Sequence, residues 1–236
     1  HLNLEPDPDA LLENADEVIK YFEKYLLPIG GTYLAKNLGI PQAAAEVLLL
    51  EHVRVCYDTC HFAVEYENPA SVFQRFAAAG IQIGKIQISA ALKAEIPQDK
   101  SERLLLKERL QPFAESTYLH QVIARHSEGE LEHYQDLGTA LSFLEKTTAS
   151  EWRTHFHVPL FIDDYQVVQS TQDDILTVFE LLQNNEICNH LEIETYTWEV
   201  LPPDMKVDIA ASIQREYEWV LSKLQTINYQ ELVELK

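Results

Sequence analysis

The sequence predicts an α/β fold, and two observations carry that prediction. Strand-like and helical segments alternate along most of the chain, which implies parallel strands joined by helical crossovers. Polar residues gather towards the C-terminal ends of the strands, where a (β/α) barrel opens onto a single mouth. The rival arrangement, an open doubly wound sheet, would want a Gly-rich phosphate turn after an early strand. None is present, and the chain has only 7 Gly.

HLNLEP (1–6) alternates Leu2 and Leu4 against His1, Asn3 and Glu5, as a strand does. ADEVIKYFEKYLL (15–27) has helical spacing, and PQAAAEVLLL (41–50) is a second helix with Pro41 near its start, where a missing N–H costs little. HVRVCYD (52–58) is the next strand, and SVFQRFAAAG (71–80) is a helix with Gly80 as its C-cap. IGKIQIS (83–89) is again a strand. Residues 90–149 interrupt the pattern with a helix near 102–110, a strand-like TYLHQVIA (117–124) and a helix near 136–146. The alternation resumes with a strand at THFHVPLF (154–161), a helix at 173–184, a strand at HLEIETYT (190–197) and a long helix over 207–225. The 236 residues fit one large domain or two small ones. The chain starts inside an apparent strand without an initiator Met, so a preceding segment is expected.

With 18 Lys+Arg against 38 Asp+Glu, the formal net charge is −20. Binding a phosphate backbone needs clustered cations, and no basic stripe exists, so no nucleic acid partner is expected. No apolar run reaches the roughly 18 residues of a membrane span, and no signal peptide is visible. The 3 Cys, odd in number and in apolar context, suggest reduced cytoplasmic thiols. Cys56 and Cys60 are placed poorly for zinc, since no second pair accompanies them.

The polar residues at the strand ends are Glu5, Asp58 with His61, Lys85 with Gln87, His155 with His157, and Glu192 with Glu194. Parity puts His155 and His157 on one face, opposite Phe156, and Glu194 opposite Ile193. Taken singly, each has a plain reading: a solvated strand face for the two His and the two Glu, an Asx cap for Asp58. Taken together they form a ring of acids and imidazoles around a shared centre. Such donors suit Zn, Mn, Fe or Mg, with an open position for water or substrate. His52, His126, His133 and His190 lack this placement and read as surface or strand-edge residues.

The order Glu, then Asp-x-x-His, a polar strand, His-x-His and Glu-Thr resembles the C-terminal half of the xylose-isomerase-like (β/α)8 TIM barrels. That superfamily holds the sugar phosphate isomerases and epimerases and endonuclease IV. DTCH (58–61) is similar to the endonuclease IV signature, and IETY (193–196) to its last acidic strand. HLNLEPDP, VCYDTCH, GKIQISAAL, WRTHFHVP and LEIETYTWEVLP together resemble the EboE family of metabolite traffic proteins. The resemblance implies a half barrel of about four strands, with 1–236 a single domain and 90–149 an elaboration within it. It implies metal ligands at Glu5, Asp58, His61 and Glu194, acid–base roles for Glu5 and Glu194, and substrate contacts from His61, His155, His157 and Gln87. It also implies a small-molecule metabolite as ligand and other ebo-cluster proteins as partners, in the biosynthesis or export of a secondary metabolite precursor. The reaction would be an isomerase- or epimerase-type proton transfer assisted by a divalent metal. Gln87 departs from the pattern, which commonly has His there, and a neutral amide is a weak ligand. A barrel that binds a metabolite without catalysis is the alternative. A nuclease of the endonuclease IV kind is opposed by the charge of −20.

Overall fold

The computed structural model describes residues 1–165, 167–195, 199–202 and 208–234. β1 (Leu2–Leu4) leads through α1 (Ala15–Tyr21), a π-helical stretch (Phe22–Gly30), α2 (Gly31–Leu38) and α3 (Gln42–His52) into β2 (Val53–Asp58). α4 (Thr59–Val64) and α5 (Pro69–Ala78) return the chain to β3 (Ile83–Ile88). An excursion follows: β4 (Leu92–Glu95), α6 (Lys100–Leu110), β5 (Val122–Arg125), β6 (Leu131–Tyr134), α7 (Leu137–Leu141), β7 (Glu151–Thr154) and β8 (Gln169–Ser170). α8 (Gln172–Asn184) then leads to β9 (Leu191–Ile193), and α9 (Ile209–Glu234) completes the described chain.

The strands form two sheets. One is all parallel, in the order β1-β2-β3-β9, with Asp58 paired to Gln87 and Gln87 to Glu192. The other is antiparallel, in the order β6-β5-β7-β4-β8. The protein is therefore a mixed α/β fold, and among the described residues neither sheet closes into a barrel. Burial explains the outer face of the parallel sheet. Asn68 caps α5 by accepting from the Ser71 N–H, and Pro69 occupies its first turn. Its Val72, Phe73 and Phe76 are buried, and Tyr57 of β2 stacks on Phe62 at 4.3 Å and meets Phe73 edge-on at 4.8 Å. The helix ends one residue earlier than expected, with Ala79 as its C-cap and Gly80 following at φ 71°.

At Gly84 the pairing of β2 with β3 slips between Val55 and Cys56. A Cβ there would overlap the side-chain oxygen Oδ1 of Asn3 and the His1 ring. Gly84→Ala should therefore displace the Asn3 and His1 side chains and cost about 1–3 kcal/mol, measured by urea unfolding.

Tyr66 holds the antiparallel sheet to α4. It adopts φ 58°, an uncommon backbone for a bulky residue. Its ring lies between the guanidinium groups of Arg125 and Arg153, each 4.4 Å from the ring centre. Its hydroxyl reaches the carbonyls of Ile123 and Glu151. Arg153 donates to Glu151 at 2.8 Å, Asp174 of α8 at 3.2 Å and the Ala63 carbonyl at 2.7 Å.

Several expected boundaries move. The strand expected over 154–161 ends at Thr154, and it belongs to the antiparallel sheet rather than beside β3 and β9. Beyond Thr154 the backbone leaves the ladder, with His155 N–H bonding the Gln121 carbonyl and Val158 N–H the Ala90 carbonyl. The antiparallel sheet thus runs on to Ser170, past residue 149. The strand-like 117–124 begins only at Val122, the helix near 136–146 shortens to Leu137–Leu141, and the strand over 190–197 shortens to Leu191–Ile193. Tyr196, Thr197 and Trp198 of the LEIETYTWEVLP motif lie outside the described residues.

Candidate metal centre

Asp58 is the hinge of the site. It closes β2 and caps α4, and it is fully buried. One carboxylate oxygen, Oδ1, accepts from the Cys60 N–H at 2.8 Å, the His61 N–H at 3.0 Å and the Ser89 hydroxyl at 2.6 Å. Oδ2 accepts from the Gln87 amide at 3.1 Å. Burial alone would raise its pKa, but His61, His157 and the Ser89 hydrogen bond outweigh burial and hold the carboxyl below its ordinary value.

Two imidazoles face Asp58 in the same way. His61 Nδ1 lies 2.8 Å from the Pro6 carbonyl, and His157 Nδ1 lies 3.1 Å from the Glu194 carbonyl. A carbonyl can only accept, so each Nδ1 carries the hydrogen, and in the neutral ring the lone pair sits on Nε2. Metal-ligating histidines are oriented in this manner. Burial lowers the His157 pKa to about 4, against the pull of Asp58. For His61 burial acts the same way, but Asp58, Asp7 and the Pro6 carbonyl outweigh it and raise the pKa. His155 completes a cluster, its ring 4.6 Å from that of His61 and 5.4 Å from that of His157. Its Nδ1 is 2.9 Å from Gln121 Oε1, and burial, then His61 and His157, push its pKa well down.

Carboxylates converge on the other side of Asp58. The Gln87 amide nitrogen donates to Glu5 at 2.8 Å, to Asp58, and to Glu194. The buried Cys56 thiol, 3.1 Å from Gln87 Oε1, fixes this orientation by donating to the amide oxygen. Burial, then Asp58 and Glu5, raise the Glu194 pKa well above the ordinary carboxylate range. Where Asp58 and Glu194 compete for one proton, Glu194 holds it.

Ligand atoms of Asp58, His61 and His157 lie within 4.8 Å of one another, as do those of Glu5, Asp58 and Glu194. The donor chemistry of both sets fits a divalent cation of the Zn, Mn or Fe type. All of the expected site residues, Glu5, Asp58, His61, Gln87, His155, His157 and Glu194, are therefore brought together. Lys85 and Glu192 are not part of the group; they pair with each other at 2.9 Å further along the polar face.

No family model, curated protein or solved structure matches this chain. The site therefore has to be understood from its own geometry. Three contributors escaped the sequence. Asp7 lies 3.9 Å from both His61 and His155, and its place two residues after Glu5 in EPDP was the available signal. Cys60, read as a structural thiol, groups with His155 and His157. Buried His120 supports His155 from behind, its Nδ1 3.1 Å from the His155 carbonyl. Neither of the last two carried a positional signal.

Proposed function

We propose that this chain contributes the metal-binding part of an EboE-like, xylose-isomerase-like barrel acting on a small secondary metabolite precursor. The observation that carries the proposal is the double convergence on Asp58: two imidazoles with pinned Nδ1 hydrogens on one side, two further carboxylates on the other. Four parallel strands linked by helices are what half of an eight-stranded barrel would supply, which supports the same reading.

Asp58, His61 and His157 would hold the cation, with Glu5 and Glu194 beside it. A bound divalent metal would polarise a carbonyl or hydroxyl oxygen of the substrate. Glu194 holds a proton near neutrality in the metal-free protein; freed of it when the cation binds, its carboxylate would take one from the substrate, while exposed Glu5 would return one from the open side. His155, kept neutral by burial, orients a substrate hydroxyl. This division of labour suits a hydroxy-carbonyl compound undergoing isomerisation or epimerisation.

The amide of Gln87 favours a second reading. Its N–H groups occupy the position a cation would take among Glu5, Asp58 and Glu194, as in a barrel that binds a metabolite without turning it over. Elemental analysis of protein purified without chelator separates the two. Close to one equivalent of Zn, Mn or Fe at this centre, lost in His157→Ala and in Glu194→Gln, is the result expected of the enzyme. Absence of that equivalent from a folded protein would leave the binding reading in its place. Solvent deuterium incorporated into a hydroxy-carbonyl substrate, and abolished by Glu194→Gln, would establish the proton transfer.

A further inference from the structure

At the opposite end of α4 from Asp58, a second group of donors stands apart from the centre above. Asp58 caps the helix start and Glu65 is its C-cap, roughly 10 Å further along the axis. Glu65 is only 6% exposed, and its Oε1 is buried without a hydrogen-bond partner. A buried acceptor left in that state costs about 1–3 kcal/mol, more when charged. Its acidic neighbours are all served by the protein itself. Glu67 accepts from Arg75 at 3.1 Å and from the Ala15 N–H at 2.8 Å. Glu17 accepts from the Glu13 N–H at 2.9 Å. Glu65 instead lies with Glu13, ahead of α1, and with His133 on β6, the ligand atoms of all three within 4.8 Å of one another.

We propose that Glu13, Glu65 and His133 form a second, structural divalent-cation site. The imidazole with two carboxylates selects a borderline cation, Zn or Mn, over Mg or Ca. Exposed His133 leaves water free to complete the coordination. The ion would join the segment before α1, the end of α4 and the edge strand of the antiparallel sheet. It would thus lock that sheet against the parallel one at a point where the protein supplies no cation of its own to Glu65. Burial, with Glu13, Glu67 and Glu17 facing it, raises the Glu65 pKa to about 8, so an incoming cation would displace a proton there. The site is independent of the metal centre at Asp58 and of its proposed function.

Zinc binding by the full chain, followed by chelator competition and by thermal unfolding, tests this. Wild type is expected to hold one more equivalent of Zn than His133→Ala and Glu65→Gln. Zn should raise the wild-type midpoint, and that part of the rise should vanish in both variants, with affinity at this site down at least tenfold. His133 is exposed, so its variant folds even where Glu65→Gln does not. His157→Ala and Glu194→Gln should remove the other equivalent alone, so the two sites fail or stand separately. Identical stoichiometry and identical zinc-dependent midpoints in wild type and His133→Ala would overturn the proposal. A Glu65→Gln protein as stable as wild type with zinc, and indifferent to zinc at this site, would do the same by showing Glu65 to be a neutral buried acid.

Discussion

Asp58→Ala is expected to lose about 3–5 kcal/mol of folding stability, the largest effect of any single change at the site. The substitution strips the carboxylate acceptor from the His61 N–H at the start of α4 and from the Ser89 hydroxyl in a buried setting, while the Cys60 N–H keeps Ser89 Oγ and the Gln87 amide keeps Glu5 and Glu194. Loss of the cap alone accounts for about 1 kcal/mol, and each buried donor left without a partner adds more. Asp58→Asn should cost roughly half as much. Its carbonyl oxygen can keep the three Oδ1 bonds, while its new NH2 opposes that of Gln87. Urea unfolding of the two variants checks the order. The pH dependence has a definite sign. The folded-state pKa of Asp58 is lowered, so its contribution is fully present above the ordinary value of 3.8 and is lost as the pH falls through the lowered one. The acid limb of the stability profile below pH 4 should therefore be shallower in Asp58→Ala, since the alanine has no such proton to take up. An equally steep limb in the variant would place the acid-labile charge elsewhere.

The part of this site written on parallel strands was legible because strand parity is local. Glu5, Asp58, Gln87 and Glu194 fall where alternation puts them, each at the end of β1, β2, β3 or β9, or just past it. His155 and His157 reached the same centre by a route the alternation did not show. The strand that precedes them pairs with β4 and β5 instead of β3 and β9, and its pattern of buried Trp152 and Thr154 is the same for either sheet. Pairing partners are long-range facts, and a short apolar run does not encode them. The excursion that carries these histidines was visible only as a break in rhythm at residues 90–149, because antiparallel strands of 4 residues, such as β4, β5 and β7, leave little periodicity to read. The roles of Cys56 and Ser89 were hidden for another reason. Both are small buried side chains whose meaning lies in their hydrogen bonds, of Cys56 to Gln87 and of Ser89 to Asp58 and the Cys60 N–H.

Gln87→His should raise the affinity of the centre for Zn or Mn at least tenfold. The wild-type amide lies within hydrogen-bond reach of Glu5, Asp58 and Glu194 and shares its two N–H hydrogens among them, so a cation entering there must displace a donor already in place. An imidazole would remove that competitor and contribute a lone pair in its stead. Metal binding should also release a proton near neutral pH, because Glu194 must surrender the one that burial and its acidic neighbours make it keep. Gln87→Leu separates the two contributions. It deletes the amide without supplying a ligand, so the metal-free protein should lose about 2–3 kcal/mol as three carboxylates face one another without a shared donor. Added metal should then recover more stability in Gln87→Leu than it gives to wild type. Isothermal titration in buffers of different ionisation enthalpy reads affinity and proton release together. An affinity unchanged in Gln87→His, with no proton released, would place the cation wholly on the Asp58, His61 and His157 side, and Gln87 would then stand as the permanent hydrogen-bond donor among the three carboxyl groups.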